Sequence, residues 1–154
     1  MGAWSNTSFG NDWALDWTGD MAENGSVSMI RSALLVGKTI VPPFRPSFIG
    51  RMLGRKGYDV GLNASACSVA LAAAEYVAAW LGHPCEDFPS KSADWIRTHS
   101  ADFSADLVSL AIEAVEAVAR HSELKLLWEE GDPTAGQEWH GVLDDLKHRL
   151  ASQK

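Results

Sequence analysis

Residues 64–81 read ASACSVALAAAEYVAAWL. Only Ser65, Ser68 and Glu75 in that run are clearly polar, so it predicts a helix that is apolar on nearly every side, and such a helix is stable only when other elements surround it. It belongs in the middle of the fold. Gly82 and Pro84 stop it.

Toward the C-terminus, a short helix around Ser92 to Thr98 carries Trp95 and Ile96, and Ser104 caps a long one. In the long helix Leu107, Leu110, Ala111, Ala114 and Val118, with Val108 and Val115, form a stripe that leaves Glu113, Glu116 and Arg120 outside. Ser122 opens the next helix as Ser122-Glu123-Leu124-Lys125, with Leu124, Leu127 and Trp128 as its apolar residues, and Gly131-Asp132-Pro133 ends it. A last helix, about Thr134 to Leu150, presents Trp139, Val142, Leu143, Leu146 and Leu150 on one face and interleaves Asp144, Asp145, Lys147, His148 and Arg149.

Toward the N-terminus, Asn11 or Asp12 caps a short helix with Ala14, Leu15 and Trp17 that ends near Asn24-Gly25. Ser26 caps another, in which Val27, Ile30, Leu34 and Val36 recur at helical spacing before Gly37. The intervening segment, 39–63, holds Pro42, Pro43, Pro46, Gly50, Gly54, Gly57 and Gly61, and reads as a long loop or insertion with one helical turn near Phe48 to Leu53. No alternating strand pattern competes. The expected fold is therefore all-α: one domain over 1–154, a bundle of six or seven helices around the central alanine-rich helix, with one long Pro/Gly-rich loop.

Bulk properties agree. A chain of 154 residues hides roughly 70% of its unfolded surface on folding, and 46% hydrophobic with 21% charged residues is the profile of a packed globule. Cys67 and Cys85 lie too far apart for a paired-thiol motif and are too few for a disulfide framework, which suits a reduced compartment. The opening residues lack a signal-peptide pattern and no stretch reaches bilayer length, so a cytoplasmic protein without membrane insertion is expected. A net charge of −7 repels nucleic acid and anionic lipid and favours basic partners.

The opening Met1-Gly2-Ala3-Trp4, then Phe9, Asn11-Asp12, Ala14 and Asp16-Trp17, resembles the start of an uncharacterised bacterial family, domain of unknown function 4259. Ala72-Ala73-Ala74-Glu75 looks like that family's alanine-rich helix, and Ser122-Glu123-Leu124 with Leu127-Trp128 looks like its next-to-last helix. The chain departs from the family pattern at Ser5, where glycine is usual, and at Gly10 and Trp13, where acidic residues are usual. The resemblance implies a small helical domain and carries no activity with it.

Glu75 is the residue whose chemistry stands out, because a carboxylate inside an apolar helix has to be neutral, paired or multiply hydrogen-bonded. In one reading it accepts backbone N–H groups or an indole N–H from the Met1 to Phe9 segment and pins that segment over the core. In the other it is a perturbed acid or base, and Asp12 and Asp16, four apart on one predicted helix, join it in an oxygen-rich cation site. The latter pair also fits a helix cap and a first-turn dipole interaction.

The five histidines show no zinc spacing, and neither a nucleophile elbow nor a phosphate loop is present, so no metal site and no cofactor is assigned. Arg45, Arg51, Arg55 and Lys56 form one basic patch, open to a phosphate or an acidic protein surface and equally consistent with a solvated loop. Trp13 and Trp17, four apart, suit a groove edge or an interface. Glu129, Glu130 and Asp132 would steer a basic partner. Two functions follow as expectations. The first is a non-catalytic protein-binding module, for instance an immunity-type partner of a bacterial toxin; the alternative is a small metal-dependent hydrolase using Glu75 with Asp12 and Asp16.

Overall fold

The structure, a computed structural model, describes residues 4–39, 52 and 60–152, with 60–63 as backbone alone. The described residues form seven α-helices: α1 (Asp12–Asn24), α2 (Val27–Lys38), α3 (Val60–Trp80), α4 (Ser90–His99), α5 (Ala105–His121), α6 (Glu123–Glu130) and α7 (Pro133–Ala151). A single 3-10 turn, Ser100–Asp102, links α4 to α5. No strand occurs among these residues, so the all-α bundle is the observed architecture.

The central rod is α3. It packs against each of the other six helices, and from Ala70 to Ala78 every residue is buried. Alanine side chains make this possible: they leave α2 and α5 room to settle close to the α3 backbone. Gly37 shows how close. A β-carbon added there would lie 2.5 Å from Ala70 Cβ and 3.3 Å from Ala114 Cβ, so glycine is required by the approach of three helices. The expectation that Gly37 stops its helix is thereby corrected, since α2 continues to Lys38 and Gly37 is a packing residue inside it.

Most helix starts follow local chemistry. Asn11 Oδ1 accepts from the Ala14 N–H at 2.8 Å, Ser26 Oγ from Met29 at 3.3 Å, Ser122 Oγ from Lys125 at 2.9 Å and Asp132 Oδ1 from Thr134 at 3.0 Å. Ser104 is the N-cap of α5 by position, but its hydroxyl donates to Asp106 and caps no N–H. α3 ends in paired turns, His83 N–H to Ala78 O at 2.9 Å and Gly82 N–H to Ala79 O at 3.0 Å, with Gly82 at φ 93°.

Two further expectations need correction, and a third lies outside the described residues. α3 begins at Val60, four residues before the apolar run, so 60–63 are helix and not loop. Of the rest of the predicted loop, 40–51 and 53–59 lie outside the described residues, with the turn near Phe48 to Leu53 and the basic patch. Leu15, Val36 and Leu127, read as core-facing, are each about half exposed. α1 buries Ala14, Thr18 and Met21 instead, and α2 buries Ile30, Leu34 and Gly37.

Aromatic rings close the end of the bundle where α1, α3 and α4 meet. Tyr76 is at its centre, with edge contacts to Trp17 at 5.3 Å, Phe88 at 5.4 Å and Trp95 at 5.9 Å between ring centroids. Its hydroxyl donates to Ser92 Oγ at 2.6 Å. Trp80 stacks on Phe103 and donates its indole N–H to Ser100 O.

Candidate functional site

Glu75 is 1% exposed, and its carboxylate is fully engaged. Arg149 Nη1 donates to Oε2 at 2.8 Å and Nη2 to Oε1 at 3.0 Å, while Ser8 Oγ donates to Oε1 at 2.9 Å. Arg149 reaches further, with Nη1 on His83 O at 3.1 Å and Nε on Asp145 Oδ2 at 2.7 Å. Burial alone would lower the Arg149 pKa, but the hydrogen bonds and charges of Glu75 and Asp145 outweigh it and push the guanidinium upward. The site thus joins the N-terminal leader, the middle of α3, the turn after it and the last turns of α7.

Of the two sequence readings of Glu75, the arrangement resembles the pinning one in outline, with different donors. A serine hydroxyl from the leader makes the bond, and Arg149, which sequence spacing left among surface charges, supplies the counter-charge. The leader seats tightly: Asn11 Nδ2 donates to Ser8 O, and the space left beneath residues 5–8 and 11 is about 10 Å³. Chemically, a carboxylate held by three donors from two side chains is an anchor, and a proton-transfer role would first require those donors to leave.

Asp12 and Asp16 do not join Glu75. α1 turns Ala14, Thr18 and Met21 inward, which leaves Asp16 exposed and Asp12 at the margin. Among the described residues no group of three His, Cys, Asp or Glu side chains is placed to hold a metal ion. Cys85 sits near Glu75 and Asp87; burial first, then those two carboxylates, push its thiol pKa up. Cys67 is likewise held protonated, raised to about 12 by burial in spite of lowering contacts from Ser122 and Leu124.

The acidic group on α6 and its following turn is bound internally. Glu129 accepts from Lys125 Nζ at 2.8 Å and pairs with His140 Nε2 at 2.9 Å, and these contacts, Lys125 first, hold its carboxyl below the usual range. Glu130 is exposed, and Asp132 caps α7. Glu123, which the sequence reading used only as a helix-opening residue, is completely buried at the start of α6. Nothing in its spacing marks it, since acidic residues are ordinary in a first helical turn. Arg45, Arg51, Arg55 and Lys56 lie outside the described residues.

A separate concavity lies between α1 and α2. α1 rests on α3 and α4, while α2 rests on α3 and α5, so the two N-terminal helices diverge and leave a groove floored by α3. Its volume is about 550 Å³. Trp17 forms the α1 wall, steadied by its edge contact with Tyr76. Ser28, Met29, Ser32, Ala33 and Val36 form the α2 wall, and Ser65, Ala66 and Val69 the floor. Trp13, partly exposed, stands one turn before Trp17.

α1 also carries Asp12, Asp16, Asp20 and Glu23 and no basic residue. No salt bridge reaches these four among the described residues, whereas Asp94, Asp106, Glu113, Glu116, Glu129, Asp144 and Asp145 all have one. The serines and small apolar residues of the groove carry no sequence signal of their own; only Trp17 suggested an edge.

No helix among the described residues is long and apolar enough to cross a membrane. Comparison with curated proteins and with solved structures gave no match. A family model described as domain of unknown function (DUF4259) matches residues 50–141, a span that holds all of α3 to α6 and the first half of α7 and leaves the N-terminal segment, α1 and α2 outside. Because that span is more than half of the 154 residues, the chain belongs to the family of domain of unknown function 4259.

Proposed function

We propose that the chain is a non-catalytic protein-binding module, acting in the cytoplasm and of the immunity type that neutralises a bacterial toxin by occupying it. The observation that carries this reading is the open, largely apolar groove walled by Trp17 and α2, a concave face with an aromatic edge of the kind that protein interfaces use as an anchor. Engagement of Glu75 by Arg149 and Ser8 supports a structural use of the residue that most suggested catalysis. Two free cysteines, Cys67 and Cys85, suit a reducing compartment.

The test is co-expression with the products of neighbouring genes. The reading expects one of them to co-purify in a fixed ratio, to be toxic when expressed alone and to become harmless when this chain is present. Absence of any stoichiometric complex across those products, with toxicity unchanged, would overturn it.

A further inference from the structure

We infer that the groove between α1 and α2 docks a basic amphipathic helix of the partner, laid along α3 with its apolar face inward and its lysines or arginines over the acidic face of α1; this rests on the protein-binding reading above. Successive residues of an α-helix turn by about 100°, which fixes the order of side chains around α1. After the core face of Ala14, Thr18 and Met21 comes Trp17, then Trp13, then Asp20, Asp16, Glu23 and Asp12. The apolar wall of the groove therefore passes directly into a band of carboxylates on its solvent side. Asp16, Asp20 and Glu23 are exposed, and no salt bridge among the described residues neutralises them.

The charge is arranged for an extended occupant. Small-ligand sites combine apolar walls with polar groups that converge on the ligand. Here the groove interior offers only serine hydroxyls, and the charges stand outside it, beyond Trp17. A helix fits both parts at once: residues at i, i+3, i+4 and i+7 fill the groove, and long basic side chains lie along the rim with their charged ends in water. Phosphate-bearing partners are repelled by the same band. A second copy of the chain, itself at −7, is opposed in the same way.

The probe is a synthetic amphipathic peptide with leucines at that spacing and lysines opposite, titrated against the full chain by fluorescence anisotropy and by amide chemical-shift mapping. Its partners are the same peptide with glutamates for lysines, and a lysine peptide with scrambled leucine positions. The lysine peptide is expected to shift Trp17, Ala33 and Val69 and to bind at least roughly tenfold tighter than either control at low salt. The triple variant Asp16→Asn, Asp20→Asn, Glu23→Gln should remove the preference for lysine over glutamate. Ala33→Lys, on the partly exposed wall, should abolish binding with an unchanged thermal melt.

Equal binding of the two charge versions, or shifts confined to α6 and α7, would overturn the docking mode. So would a photo-cross-linker at Ser32 that reacts within its own chain and excludes the peptide. A neighbouring gene product that forms a stoichiometric complex through another face also overturns it, while leaving the binding-module reading intact. Peptide docking as expected with no such product in the host supports the docking mode and counts against that reading.

Discussion

Arg149 grips Glu75 through two parallel hydrogen bonds, 2.8 and 3.0 Å long, across 74 residues of chain. The Arg149 side chain is only 14% exposed, so both charges have lost most of their water and depend on each other. Such a pair contributes less to stability than its geometry suggests, but removing one member is costly, because the other charge stays buried alone. Arg149→Ala is therefore expected to cost about 3–5 kcal/mol in urea unfolding. Glu75→Leu combined with Arg149→Met should recover most of that loss. If the double variant is as unstable as the sum of the two single ones, the residues are not coupled.

Gly37 gives a steric prediction. Gly37→Ala gains helix propensity of about 0.5–1 kcal/mol but drives a methyl group to 2.5 Å from Ala70 Cβ. Overpacking of this kind costs about 1–3 kcal/mol, so net destabilisation is expected. Ala70→Gly in the same chain should restore part of the stability. A Gly37→Ala protein that melts at or above the parent temperature would show that α2 can shift away from α3 freely.

Thiol chemistry follows from burial. With the Cys67 pKa at about 12, its thiolate fraction at pH 8 is on the order of 10⁻⁴, and Cys85 is shifted in the same direction. Neither thiol should react with a disulfide reagent at pH 8 until urea unfolds the chain, when both should. A folded-state pKa raised above the ordinary 9.0 favours the folded state up to about pH 9, and that contribution is lost as pH rises toward about 12. Stability measured across that window should fall, and less steeply in Cys67→Ala.

The Arg31 guanidinium, 2.7 Å from Asp106 Oδ2, and the Ser104 hydroxyl hold the Asp106 carboxyl at about 2, below its ordinary 3.8. A depressed folded-state pKa favours folding above the ordinary value, and that contribution disappears as pH falls from about 4 to about 2. Carboxyl carbon shifts followed by NMR should show Asp106 titrating near pH 2, below its ordinary value. Arg31→Ala should return it toward 3.8. Because the Asp106 side chain is exposed, salt should weaken the effect.

The parts of the fold legible in the sequence are those set by neighbours along the chain. Asn11, Ser26 and Ser122 announce helix starts because a cap bonds an N–H two or three residues ahead. The alanine-rich run announces a rod enclosed by other helices because no face of it is polar. Gly37 misled because a glycine near a helix end usually terminates it, and its true role depends on Ala70 and Ala114, which no local pattern connects to it. Gly61 hid the first turn of α3, because a poor helix former stands inside the helix there.

At the candidate sites the division is similar. Glu75 was conspicuous, being the one acid in an apolar helix, yet its main partner Arg149 looked like any surface residue of an amphipathic helix. The Asp12 and Asp16 pairing failed because a shared helix face says nothing about which face points inward. The α1–α2 groove could not be read beforehand, since divergence of two helices over a third is a property of packing, and serine and alanine leave no motif.

The bond network at Glu75 also sets an order of events during synthesis. Ser8 emerges long before the carboxylate it serves, and Arg149 long after. Until the ribosome has released that arginine, Glu75 lacks the counter-ion that it has in the folded chain. Closing the interior around α3 before Arg149 arrives would leave a buried carboxylate unpaired, at a cost of about 3–5 kcal/mol.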